Sequence, residues 1–172
     1  MASCHIENSS MFITEISEDS WSGIFSIQEE AYTSVPPEEL HVLKSKWIAS
    51  PETCFTFQSE NQEIQGYLLA HAWSSNEPPK LFEELPKDSF GTILFLHDLA
   101  VSNNARGVGV GKQLAMKLLN CAQTKQFQKV LLVAVQNSDG FWSSLGFSEI
   151  VNVQICKSYG CNAKLMYCDI QE

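Results

Sequence analysis

The chain has 172 residues, 44% hydrophobic and 18% charged, a length and balance that allow a single domain over residues 1–172 with its own core. Its net charge of −9 argues against a nucleic-acid partner, because such surfaces carry a basic stripe, and leaves an acidic surface able to draw in a cationic substrate. No signal peptide is legible in MASCHIENSS, which reads as a flexible N-terminus over 1–10, and the longest apolar run, 130–135, is far below the roughly 20 residues of a membrane helix, so a cytoplasmic protein with no membrane partner is expected.

MFITEI (11–16) predicts a first strand, and Ser17 with Glu18 and Asp19 a helix start. Trp21, Ile24, Phe25, Gln28 and Ala31 recur at helical spacing to about Tyr32, where SVPP breaks the pattern. Pro37 is expected to open a second helix with Leu40, Leu43, Trp47 and Ile48 on one face, ending before Pro51. TCFTFQS and IQGYLLAHAW, joined by ENQ, predict a hairpin, and the Pro- and charge-rich stretch 74–90 a long surface connection. TILFLHDLAV (92–101) is apolar except for His97 and Asp98, the pattern of a strand covered on both faces.

Leu114, Leu118, Leu119 and Ala122 then mark a third helix, KVLLVAV a buried strand, and GFWSSLG a short helix closed at Gly146. Two last strands are expected near 149–156 and 163–170. The order β-α-α-β-β-β-α-β-α-β-β defines an α/β (α+β) domain with one mixed sheet. Six cysteines show no C-x-x-C pair and no histidine at zinc spacing, so free thiols and no metal are expected.

The stretch RGVGVGKQL between a buried strand and an amphipathic helix is the chemically informative one. A phosphate loop of the G-x-x-x-x-G-K-[ST] type fails at Arg106 and Gln113, and G-x-G-x-G is not the dinucleotide spacing G-x-G-x-x-G. What remains is a turn of bare amides at a helix N-terminus, suited to a pyrophosphate. A plain tight turn would need only one or two glycines.

Arg106-Gly107-Val108-Gly109-Val110-Gly111 fits the [QR]-x-x-G-x-[GA] motif, and in this the chain resembles the GNAT superfamily of N-acetyltransferases from about residue 11 to 170. The resemblance implies a mostly antiparallel mixed sheet flanked by about four helices, with acetyl-CoA as cosubstrate. It implies that Leu99, Ala100 and Val101 contact the pantetheine arm, that residues Arg106 to Lys112 cradle the pyrophosphate, and that Asn137, Ser138, Phe141 and Trp142 complete the cofactor site. The expected reaction is direct acetyl transfer to a primary amine of a small molecule or peptide. A non-catalytic acyl-CoA sensor is the alternative.

His97 and Asp98 are the candidate catalytic residues. Strict strand alternation sends them to opposite faces, His97 with Phe95 and Leu99, which favours His97 over Asp98 as a base or water-positioning group; the equal alternative is a hydrogen-bonded core histidine, with Asp98 capping a loop or pairing with a neighbouring segment. His71 is expected beside His97 or, with Trp73, in the acceptor pocket, and Tyr32 is a further acceptor contact. Many GNAT enzymes protonate the leaving thiolate from a tyrosine in the fourth helix, where this chain has Phe141-Trp142. Tyr159, Tyr32, Ser138, a water, or departure as the thiolate are the substitutes. The exposed final strands leave room for a homodimer.

Overall fold

The computed structural model describes residues 12–171, so the expected flexible segment 1–10 lies outside the described residues. Seven strands form one sheet in the order β1-β2-β3-β4-β5-β7-β6. They are β1 (Ile13–Glu15), β2 (Phe55–Gln58), β3 (Ile64–Trp73), β4 (Ile93–Val101), β5 (Lys129–Ala134), β6 (Ser148–Glu149) and β7 (Lys164–Asp169). Every neighbouring pair is antiparallel except β4 with β5. The helices are α1 (Trp21–Ala31), α2 (Leu40–Ala49), α3 (Val110–Thr124) and α4 (Asp139–Ser144), in the order the sequence predicts.

The sheet is covered on both faces. Val110, Leu114, Leu118 and Ala122 of α3 and Trp142 of α4 pack with Leu68, Leu94, Leu96 and Leu132 on one side. Trp21, Ile24 and Ile27 of α1 and Leu43 of α2 pack with Tyr67, Leu69 and Ala100 on the other. The interior alternation of β3 and β4 therefore serves two cores at once, which is why both strands read as nearly continuous apolar runs.

Three local expectations need correction. Pro37 does not open α2, which begins at Leu40; the extended backbone that Pro37 imposes on its predecessor keeps the Pro-Pro segment outside the helix. The inward face of α2 is Val42, Leu43 and Lys46, while Leu40 and Ile48 are exposed. Lys46 takes a core position because its ammonium reaches the Glu83 carbonyl at 2.8 Å, a partner in the 74–90 connection that apolar periodicity cannot reveal. Finally, β6 ends at Glu149; Val151 and Val153 project outward, and residues 150–156 belong to a long link from the sheet edge to β7.

Two irregularities in β4 make the site. Its parallel pairing with β5 runs only from Ile93↔Lys129 to Leu96↔Leu132, so the strands part beyond Leu96. At the same point the β3 partner of Asp98 is Leu69 while that of Leu96 is Ala70, leaving His97 as the extra residue of a β-bulge.

Candidate active site

The bulge overturns the expected alternation. Leu94 and Leu96 pack toward α3, as do Leu99 and Val101, whereas Ala100 packs toward α1 and α2. One residue too many lies between the two sets, so His97 and Asp98 both face the α1/α2 side. His97 shares that side with Phe95, as expected, but not with Leu99.

There His97 meets Glu38, and Asp98 meets Tyr32 and Tyr67. The Nε2 of His97 lies 2.5 Å from Oε1 of Glu38, a residue of the α1–α2 loop, and only 1% and 7% of the two side chains is exposed. An ionised carboxylate can only accept, so Nε2 carries the hydrogen and donates it; Nδ1 is left as a buried nitrogen without a protein partner. Burial pushes the Glu38 carboxyl up, but the His97 imidazole, the Phe82 amide at 2.9 Å and the Lys46 ammonium outweigh it and hold it below the ordinary value. The buried Gln28 fixes Glu38 from behind, its carboxamide donating to the Glu38 carbonyl and accepting from the Glu38 amide, both at 3.2 Å.

Asp98 accepts from the Tyr32 hydroxyl on one oxygen and from Tyr67, at 2.6 Å, on the other. Burial raises its pKa to about 6, with both tyrosine bonds opposing. Burial and the adjacent carboxylate push both phenols well above their usual value, so each keeps its proton. The Tyr32 hydroxyl also lies 3.4 Å from the Leu99 carbonyl.

Tyr32, Glu38, His97 and Asp98 line a cavity of about 140 Å³ between the parted strands, with Leu96, Leu132, Val133 and Trp142 as its apolar wall. Ser138 and Tyr159 also line it, the latter donating to the Pro79 carbonyl at 2.5 Å. His71 and Trp73 are not among its lining residues. His71 lies next to His97, ring centres 6.4 Å apart, with Nδ1 3.0 Å from the Ala72 carbonyl, and burial drives its pKa down to about 3. Trp73 packs edge-on against it and donates to Glu77.

Leu99 and Phe141 line this cavity and also a second, open groove of about 580 Å³. Along the groove lie Val101, Arg106, Gly107, Gly109, Val110, Gly111 and Lys112. Gly107 and Gly109 have φ of +81° and +85°, a left-handed turn that glycine adopts without strain. A Cβ at Gly107 would meet nothing within 4 Å and one at Gly109 only Gln113 Nε2 at 3.9 Å, so the bare backbone borders open space. The first bond of α3 runs from the Gln113 amide to the Gly109 carbonyl, leaving the amides before it without intrahelical partners. Val108 is 70% exposed and lines neither space, Ala100 faces the α1/α2 core, and Asn137 is exposed in a left-handed turn.

The backbone of β4 is available as well. Ser102 donates to Gln65 across the β3–β4 ladder, and the two-residue alternation of that ladder turns the Leu99 and Val101 peptide groups away from β3, toward the side β5 has left. Bare amides, two cations and a free strand edge suit a pyrophosphate followed by an extended amide-bearing arm.

Sequence reasoning missed Glu38, Tyr67, Gln28 and Gln136. The Gln136 side chain accepts from the amides of Thr33 and Ser34 and the Ser34 hydroxyl and donates to Ala31, pinning the loop that carries Tyr32 and Glu38. The prolines before Glu38 read as the break after the first helix and the start of the second, and Glu38 itself carried no sequence signal.

The profile of the acetyltransferase (GNAT) family matches residues 21–147, and the chain belongs to that family. No curated protein is detectably similar to it in sequence. Among solved structures, it resembles Ard1 from Thermoplasma volcanium with a TM-score of 0.72 at 17% identity, over 93% of this chain and 97% of that one. The ribosomal-protein-S18-alanine N-acetyltransferase from Escherichia coli gives 0.67 at 15%, over 93% and 94%. The GNAT-like decarboxylase GphF, solved with isobutyryl-CoA, gives 0.76 at 13%, over 92% and 99%. No helix among the described residues is long and apolar enough to cross a membrane.

Proposed function

We propose that residues 1–172 form one N-acetyltransferase domain that carries acetyl from acetyl-CoA to a primary amine by direct attack. The observation that carries this reading is the junction at Leu99 and Phe141, where a groove of bare amides meets a cavity holding the Glu38–His97 pair. In this reading Arg106, Lys112 and the amides at the start of α3 bind the pyrophosphate, and the Leu99 and Val101 backbone binds the pantetheine arm. The isobutyryl-CoA bound to GphF supports a CoA thioester as the donor.

An alkylammonium with a pKa near 10.4 must lose a proton at neutral pH, at a cost of about 4 to 5 kcal/mol. His97 is the base, held in one tautomer by Glu38, and the Leu99 amide stabilises the oxyanion. The thiolate departs unprotonated in place of proton return from the absent α4 tyrosine, its thiol pKa being only about 8.5, because the Tyr32 and Tyr159 hydroxyls are engaged at Asp98 and Pro79. The five cysteines among the described residues are free, which is in keeping with a reducing cytoplasm.

The test is thiol release from acetyl-CoA in the presence of primary amines, comparing the wild type with His97→Ala. A fall in kcat of about 10² to 10³ is expected from loss of a general base. Binding of acetyl-CoA without thiol release to any amine would instead make the chain an acyl-CoA sensor.

A further inference from the structure

The two spaces differ in charge as well as shape. Arg106 and Lys112 line the open groove, whereas Glu38 and Asp98 line the inner cavity, and among the described residues no lysine or arginine does. The buried Lys46, whose charge lowers the Glu38 pKa, does not line the cavity, its ammonium being bonded to the Glu83 carbonyl. An anionic cosubstrate and a cationic acceptor are thus sorted to opposite ends. A carboxylate or phosphate carried inward by the acceptor would lose its water and gain no cationic partner.

Size is restricted too. About 140 Å³ is close to the roughly 150 Å³ known to hold one benzene molecule. The cavity is bordered by segments from four parts of the chain that are fastened to one another. Gln136 bonds the 31–34 backbone, Phe82 donates to Glu38, and Tyr159 donates to Pro79. An extended peptide advances about 3.3 Å per residue and needs a trench with backbone partners, which these crossing ties interrupt.

We propose that the acceptor is a small amine with a short apolar body and no carboxylate, an alkylamine or aryl-alkylamine of roughly benzylamine size, rather than an amino acid or a peptide N-terminus. The ammonium head lies toward Asp98 and the Glu38–His97 pair, and the apolar body against Leu96, Leu132, Val133 and Leu81. This rests on the acetyltransferase reading above.

The test is thiol release from acetyl-CoA with benzylamine and n-butylamine against phenylglycine and tetra-alanine, alongside calorimetric titration of acetyl-CoA. Phenylglycine is benzylamine with a carboxylate added, so the pair isolates that group. A kcat/KM advantage of about 100-fold or more for the two simple amines is expected. In Leu81→Ala, which widens the roof at a half-buried loop position, the ratio of n-hexylamine to n-butylamine turnover should rise about tenfold. Equal or better turnover of phenylglycine or tetra-alanine would overturn the proposal and leave acetyl transfer standing. Acetyl-CoA binding with thiol release to none of the four would overturn both.

Discussion

Glu38 carries the most weight of any single side chain, because it fixes the tautomer of His97 while itself held by Gln28, Phe82 and Lys46. Glu38→Gln keeps the shape and removes the charge; kcat should fall about 10-fold or more with acetyl-CoA affinity unchanged, as thiol-release kinetics and calorimetry would show. His71 supplies a pH test. Its folded pKa of about 3 is below the unfolded value near 6.5, so its contribution to stability is complete above pH 6.5 and is lost as pH falls toward 3. Asp98 runs the other way: raised to about 6, it stabilises below its unfolded value near 3.9 and loses that contribution as pH climbs through 6. The two partly cancel in the wild type. His71→Phe should therefore gain about 2 to 3 kcal/mol relative to the wild type between pH 7.5 and 4.5, measured by urea denaturation at both. A flat difference would mean that His71 is not held neutral.

At the scale of elements, the order of strands and helices was legible because each apolar pattern is local, and the glycine turn was legible because its residue types have few other uses. The bulge at His97 was not, since it depends on register against β3, some 30 residues away in sequence. For the same reason Asp98 was assigned to the wrong face and Tyr67, its partner, passed as a core residue. Glu38 was hidden by the prolines before it, which read as a helix start. Gln136 is a loop position with no local signature; its role exists only across the closed cavity. Gln136→Ala should loosen the 31–34 loop, raising KM for the amine several-fold without weakening acetyl-CoA, a split that steady-state kinetics resolves. Gly109→Ala should cost about 1 to 2 kcal/mol from the left-handed backbone alone, seen as a lower midpoint in thermal unfolding, since no protein atom crowds the new Cβ.

Across the whole molecule, one sheet separates two cores, and the site exists because β4 and β5 stop pairing where α3 begins to present its amides. In the proposed reading, acetyl-CoA bridges the parted strands and ties both halves of the sheet. Acetyl-CoA at about 100 times its Kd should add about 2.7 kcal/mol and raise Tm by roughly 5 to 11 °C, measurable by scanning calorimetry. The net charge of −9 sits well with the proposed amine acceptor, since Glu38 and Asp98 line the cavity assigned to it.

The most direct test is calorimetric titration of acetyl-CoA into the wild type and into Gly109→Asp, which sets a carboxylate against the place assigned to the pyrophosphate. Tight binding by the wild type, lost in a variant that remains folded, is the expected result. Equal binding by both, or none by the wild type, would contradict the assignment of the glycine turn and with it the transfer reaction.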